Sequence, residues 1–399
     1  MIMNKMFFIL ILAVSALFFQ GCSNLHEDIL NEQDNSSLVK NSSNAAMVAA
    51  PSIAVLRDFT TTSGIWGLTE CSTDECCFPT RGSDWNDANS RALFKHTYDY
   101  TNTHIKEAWN ALMAGLTRSN TSLYYLSSME QTDTVKEYTG EVYFIRDLCM
   151  YYLMDYWGHF PMREYTGTNY LSQPEILSRS EALDRIINNL DSIIPNLKEK
   201  GDVPYGRITR AAAQTLLAHI YLNYQVFTGT APAFSDGTAK WDKVISLCDE
   251  IINSGKYKLA DDYWKLYLSD NATYADQTEA ILPIVFDQEA GIPGPGWCNM
   301  DLHYSQTFNN FTSFNNGPCT TPTFVDSWDR SDPRFSDSRL KSQTGFNIGI
   351  LIGQQYSVKG EKLKTRQGSD LIFTEDFSVD NSTEAQGARI VKYAPDPDY

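Results

Sequence analysis

The chain has 399 residues, 42% of them hydrophobic and 20% charged, which supports a sizeable core and argues against intrinsic disorder. A formal net charge of −17 with no basic stripe argues against nucleic acid as a partner, because polyanions are bound through clustered Lys and Arg. Acidity alone names no other partner.

At the N-terminus, Lys5, an apolar run from Met6 to Phe19 and then Gln20-Gly21-Cys22 read as a secretory signal over residues 1–21, not a membrane span. Small Gly21 before Cys22 looks like a lipobox, although Phe19 stands where Leu is usual. Resemblance to bacterial lipoproteins implies cleavage before Cys22 and acylation of that residue, several acyl chains together giving stable attachment. An ordinary signal with a coincidental Cys is the other reading. Residues 22–50 are polar and rich in Ser and Asn, as suits a tether. No later run reaches about 18 uninterrupted apolar residues.

Residues 51–100 read as a loop-rich segment, and residues 101–275 as helical scaffold. Ile105, Trp109, Leu112, Leu116, Leu123 and Leu126 recur at three- and four-residue spacing, the mark of an amphipathic helix. Val135 to Tyr156 repeat the pattern, closed by Gly158 and Pro161. A third helix opens with Ser178 and Glu181 in capping-box spacing and runs through Ile194, with Pro195 distorting its last turn. The fourth is expected from Thr209, whose hydroxyl is placed to cap it, to Phe227, with Ala211, Ala212 and Ala213 allowing close approach of a neighbour. The fifth spans Ala239 to Asn253, stopped at Gly255. Trp109, Trp157 and Trp241 sit at core spacing or helix edges, and Cys149 and Cys248 on apolar faces that predict buried thiols.

Three of these segments carry a resemblance. Glu141 to Pro161 (EVYFIRDLCMYYLMDYWGHFP), Gly201 to Tyr224 (GDVPYGRITRAAAQTLLAHIYLNY) and Trp241 to Leu259 (WDKVISLCDEIINSGKYKL) resemble, in order, the recurring helices of the SusD-like family of surface glycan-capture lipoproteins. The resemblance implies a mainly α fold: a tetratricopeptide-like helical repeat scaffold carrying an irregular loop-rich lobe. It also implies that family members continue past the region matching Ala388 to Tyr399 with a further helix pair that completes the repeat array, so that this sequence is either a fragment, with residues 276–399 an incomplete loop-rich ligand-binding lobe, or a shortened fold.

In that lobe, Glu279 to Asp287 (EAILPIVFD) reads as a short strand, and Gly291 to Gly296 announces long loops. Loops on a rigid scaffold are where binding residues sit. A glycan site needs aromatic platforms for the apolar faces of sugar rings and polar side chains for their hydroxyls. Arg81 and Asp84 beside Trp85 form one such set; Trp297 with Asn299 and Tyr304 forms a second, and Trp66 near Glu70 a third. Trp85 reads equally as a platform or as packed under its own loop. Cys71, Cys76 and Cys77 allow one local disulfide, and Cys298 and Cys319 can pair; spacing does not choose.

No nucleophile elbow, zinc helix, Walker loop or dinucleotide fingerprint is present, and no cofactor or metal is expected. The reading is therefore not an enzyme but a lipid-anchored, oligosaccharide-binding protein on the exterior of the outer membrane, passing ligand to a SusC-like TonB-dependent transporter as the resemblance implies. Two alternatives stand beside it: a helical-repeat lipoprotein adaptor that binds a protein or peptide, and a surface glycosidase, since 49 acidic residues supply many carboxylate pairs.

Overall fold

The computed structural model describes Val39, residues 41–165, 167–169, 171–309, 311, 314–393 and Asp396. The secretory signal, Cys22 and most of the expected tether lie outside the described residues. The tether's last residues do not: Ala45–Ile53 form helix α1, with Ala45, Val48 and Ala49 buried. Short helices α2 (Ile65–Glu70) and α3 (Ala88–Phe94) follow.

The scaffold is built from α4 (Thr103–Ser127), α5 (Asp133–Trp157), α6 (Arg179–Ile193), α7 (Arg210–Leu222), the short α8 (Tyr224–Thr228) and α9 (Trp241–Asn253). Successive pairs pack along one another, α4 on α5, α5 on α6 and α7 on α9, while α1 lies across α4 and α5. Local chemistry sets the ends. Asn102 accepts from the His104 N–H to start α4, and Thr132 caps α5 by accepting from the Val135 N–H. Each such cap is worth about 1 kcal/mol. Gly158 ends α5 at φ +76°, where a side chain would be strained. Ser178 and Glu181 form the expected capping box, and the backbone tightens into a 3-10 turn at Ile194–Asn196. Between α5 and α6, β1 (Phe160–Met162) and β2 (Glu175–Leu177) pair antiparallel.

The scaffold core includes Leu112, Leu116, Ile145, Met150, Leu153, Leu183, Ile186, Ala213 and Leu217. Each larger apolar side chain so buried contributes about 1.5–3 kcal/mol. Trp109 and Trp157 meet edge-on against it. Inside this apolar wall Glu141 is fully buried and accepts two bonds from Arg207 Nε, at 2.8 and 3.0 Å, while the guanidinium stacks on Tyr138 at 4.0 Å. That pair ties the turn before α7 to the middle of α5. Removing one partner of such a pair leaves a buried charge uncompensated.

Several expectations are corrected. Thr209 occupies the N-cap position without a side-chain cap; its hydroxyl lies 3.4 Å from that of Tyr257. The helix expected to run to Phe227 breaks at Asn223, whose side-chain amide donates to the His219 carbonyl and whose backbone leaves helical geometry, the local competition typical of Asn. Glu279–Asp287 is not a strand. Pro283 removes a ladder donor, Ile281, Leu282 and Ile284 pack on the helical core instead, and the Val285 carbonyl accepts from Arg57 Nε. Cys149 is buried as expected, but Cys248 is exposed. It lies on the side of α9 that carries Trp241, Ile245 and Ile252, which are 59%, 59% and 69% exposed; α7 covers the other side, and no described element covers this one.

The second core belongs to the lobe and gathers Trp264, Leu302, Phe308, Phe314, Phe346, Ile348, Leu371, Phe373 and Val391. Around it lie a three-stranded antiparallel sheet of order β3 (Ser336–Asp337), β4 (Ile348–Leu351), β7 (Arg389–Val391), and the pair β5 (Gly353–Gln354) and β6 (Ile372–Phe373). The loop after α2 is stitched to this lobe: Cys77 pairs with Cys319, Thr80 donates to the Val379 carbonyl, and Ser382 donates to that of Thr80. The loop bearing Trp85 is thus held between scaffold and lobe.

Candidate ligand-binding site

A cleft of about 520 Å³ opens beside that loop. Phe78, Trp85, Phe286 and Pro295 supply apolar walls; Arg57, Thr62, Ser63, Asp87, Asn89, Ser90, Thr103 and His104 supply the polar rim. Trp85 is half-buried and sits at φ +54°, a left-handed backbone that bulky residues rarely adopt. Its position is over-determined. Arg81 and Asp84 exchange backbone hydrogen bonds at 2.9 and 3.1 Å to make the preceding turn, the indole Nε1 donates to the Asn315 carbonyl at 2.7 Å, and Phe78 packs 5.1 Å away. The benzo ring rests on Gly317, where a Cβ would come within 2.7 Å of Cζ2. Strain held this firmly is a feature of functional positions. Both sequence readings of Trp85 therefore meet in one ring, packed on Gly317 and lining the cleft.

Asp87 caps α3, accepting from the Asn89 and Ser90 N–H groups at 2.9 and 3.3 Å and from the Ser90 hydroxyl at 2.5 Å. The His104 imidazole 3.9 Å away, ahead of the Ser90 hydroxyl and these N–H groups, holds its carboxyl well below the usual range against the opposing effect of burial. The Ser90 hydroxyl and His104 Nε2 lie 3.0 Å apart, so the rim is a preset network. Arg57 commits Nε to Val285 and leaves its terminal nitrogens without a hydrogen bond among the described residues, and the hydroxyls of Thr62, Ser63 and Thr103 are likewise uncommitted there.

The other residues expected to contact ligand fare differently. Arg81 is buried and structural, donating to the carbonyls of Thr383 and Gln386 at 2.6 and 2.8 Å. Asp84 is paired with Arg366 and accepts from the Tyr304 hydroxyl at 2.9 Å; those two partners hold its carboxyl below the ordinary range. Tyr304 carries the Arg366 guanidinium 4.5 Å over its ring and lines neither cavity. Trp297 turns away from the Trp85 cleft into a second cavity of about 300 Å³. There it stacks parallel on Trp66 at 5.1 Å, meets Tyr393 edge-on and donates Nε1 to the Thr60 carbonyl at 3.0 Å. The Asn299 side chain and Cys22 lie outside what is described. Glu70, Glu75, Asp301 and Lys392 share this second cavity, and burial pushes the Asp301 carboxyl up to about 8 against the pull of Arg389.

The sequence reading missed Arg57, Phe78, Asn89, Ser90, His104 and Phe286. Asp87 three residues before Ser90, in Asp87-Ala88-Asn89-Ser90, is a legible helix cap. Nothing local marks Arg57 or Phe286, which reach the cleft from opposite ends of the chain.

Residues 61–222 match the model of a SusD-like family described as starch-binding and associating with the outer membrane. A segment of 170 residues is 29% identical to the starch-binding protein SusD of Bacteroides thetaiotaomicron, covering 42% of this chain and 28% of that protein. Among solved structures, a SusD superfamily protein from Parabacteroides distasonis superposes with a TM-score of 0.64 at 19% identity, covering 88% of this chain and 69% of that one. Surface glycan-binding protein A from Bacteroides uniformis gives 0.62 at 16% identity, covering 89% and 69%. At such identities the superpositions speak for the fold alone, and the fold they support is the mainly α scaffold with its irregular lobe.

Proposed function

We propose that the chain is a SusD-like protein, as the match of residues 61–222 supports, and that it is a non-catalytic glycan-binding protein whose oligosaccharide docks in the cleft beside Trp85. The observation that carries this reading is the Trp85 ring, held in a strained backbone conformation at the edge of a polar-rimmed cleft. An indole and two phenyl rings suit the apolar faces of sugars, and the free Arg57, Thr62, Ser63 and Thr103 donors suit their hydroxyls. Asp87 is the one carboxylate among the described lining residues and is already engaged by its own helix, which supports capture over hydrolysis, since glycosidases work with two.

In the fuller proposal the protein is held through Cys22 on the outer face of the outer membrane and hands its ligand to a SusC-like TonB-dependent transporter, for which a rigid helical scaffold can act as a hinged lid. The adaptor reading draws on one observation, the exposed Trp241–Ile245–Ile252 stripe of α9, and predicts that affinity for a protein partner falls when that stripe is made polar. An affinity screen of the protein against plant, host and microbial oligosaccharides, with product formation followed in the same tubes, separates the three. Binding without turnover supports capture; turnover indicates a glycosidase; no binding by the folded protein favours the adaptor.

A further inference from the structure

The cleft beside Trp85 contains one guanidinium whose charge nothing in the described protein answers. Arg57 is half-buried, and its Nε donates to the Val285 carbonyl at 3.1 Å, next to the wall residue Phe286. The Thr60 hydroxyl donates to the Arg57 carbonyl at 2.8 Å and steadies the backbone beneath it. With Nε committed, the two Nη groups form the free end of the fork, and neither is hydrogen-bonded or ion-paired among the described residues.

The missing counter-charge is local. The chain has 49 acidic residues against 32 basic ones, and arginines elsewhere find carboxylates: Arg118 meets Asp58, Arg185 meets Glu175, Arg210 meets Glu199 and Arg334 meets Asp332, all between 2.6 and 3.2 Å. Asp58, the carboxylate beside Arg57 in sequence, is therefore already taken. So is Asp87, the one carboxylate lining the cleft among the described residues, which serves the Asn89 and Ser90 N–H groups and the Ser90 hydroxyl and has His104 beside it. Arg57 is the one Arg or Lys among the described lining residues.

A ligand that fills the cleft strips water from this guanidinium. A neutral sugar returns hydroxyl oxygens, which solvate a cation no better than the water they displace. A carboxylate returns an opposite charge and two oxygens spaced to match the fork. We propose that the glycan taken by this cleft is acidic, an oligosaccharide containing hexuronate residues, with one ring carboxylate received end-on by the two Nη groups of Arg57. This rests on the capture reading of the Trp85 cleft and adds the substrate class to it. Trp85 and Phe286 are left for the apolar faces of the sugar rings, and the Thr62, Ser63 and Thr103 hydroxyls for the ring hydroxyls. The net charge of −17 does not forbid an anionic ligand, because charges more than about 8 Å away are largely screened at physiological salt.

The test is calorimetric titration of the whole protein with oligogalacturonides, glucuronoxylan fragments and alginate oligomers, each beside its methyl-esterified or carboxyl-reduced form, and with a sulfated neutral oligosaccharide. At least one acid is expected to bind about tenfold or more tightly than its neutral form, a gap that closes to within about twofold in Arg57→Gln and is kept in part by Arg57→Lys, which retains the charge and loses the fork. Trp85→Ala weakens acidic and neutral forms alike, so platform and charge are read separately. Neutral oligosaccharides bound as tightly as the acids, or an acid preference intact in Arg57→Gln, overturn the hexuronate assignment and leave capture standing. Binding of the sulfated sugar in preference to every uronate overturns the carboxylate. Failure of every saccharide overturns the capture reading and this inference with it. Should Arg57→Gln fail to fold, the gap between acid and neutral form in the wild type and in Arg57→Lys decides.

Discussion

The two cavities are built from the same kinds of residue and hold them in opposite physical states. Beside Trp85, the carboxyl of Asp87 is fed by helix N–H groups, a hydroxyl and His104, and stays ionised far below the normal range. Beside Trp297, the carboxyl of Asp301 is desolvated and pushed up to about 8. The rings differ in the same sense. Trp85 has one packed side and lines an open cleft, whereas Trp297 spends its ring on Trp66 and Tyr393 and its N–H on Thr60. Composition identifies aromatic and acidic residues in loops; burial and partners separate a ring that lines an open cleft from one spent on the fold.

The largest effect expected from this contrast is on stability. Trp297→Ala removes a stacked and hydrogen-bonded ring at the seam between the α2 region and the lobe, and should cost about 2–4 kcal/mol by denaturant unfolding. Trp85→Ala, at a half-buried position with one face of the ring on the open cleft, should cost less than half of that. Equal losses would erase the distinction between a structural and a ligand-facing tryptophan.

Gly317→Ala sharpens the same comparison from the other side. A methyl group 2.7 Å from the Trp85 ring must tilt the platform, so glycan affinity should fall about tenfold, or ~1.4 kcal/mol, with a smaller change in Tm. Calorimetric titration and thermal unfolding of one preparation read both.

The pH response gives the smallest and most specific contrast. Asp87 has a folded pKa below its unfolded value, so its contribution is present above an unfolded pKa of about 3.9 and is lost as pH falls below that. Asp301 runs the other way. Its folded pKa is raised, the folded state binds more protons, and stability declines as pH climbs from about 4 towards 8. Asp147, also pushed up to about 8 by burial, adds a parallel decline from inside the scaffold. Asp301→Asn should therefore flatten part of the loss of Tm between about pH 4 and 8 and leave the fall below about pH 4 unchanged; an unaltered loss between about pH 4 and 8 would show that Asp301 is solvated.

Much of the scaffold was legible because its signals are local. The period of Ile105 to Leu126, the Ser178–Glu181 box and the Gly158 stop each act within a few residues, and the structure contains all three. Expectations failed where a distant partner decides. Pro283 and the helical core, not strand propensity, set the path of Glu279–Asp287. Trp241 and Cys248 lie on an apolar face of α9 that the period identified, yet burial depends on a covering element that periodicity cannot supply. The site divides likewise. Trp85 stood out by its neighbours in sequence, whereas Asn315 and Gly317, which seat it, are some 230 positions away. Arg81 looked like a ligand contact because an Arg beside a loop Trp usually faces solvent; here lobe carbonyls from Thr383 and Gln386 claim it.

The most direct test of the central claim is the dissociation constant of the best oligosaccharide from the screen, measured on wild type, Trp85→Ala and Trp297→Ala under conditions where all three are folded. Loss of an aromatic platform predicts roughly tenfold weaker binding for Trp85→Ala and an unchanged constant for Trp297→Ala. Unchanged binding in Trp85→Ala, or a loss confined to Trp297→Ala, would contradict the account and move the ligand to the second cavity.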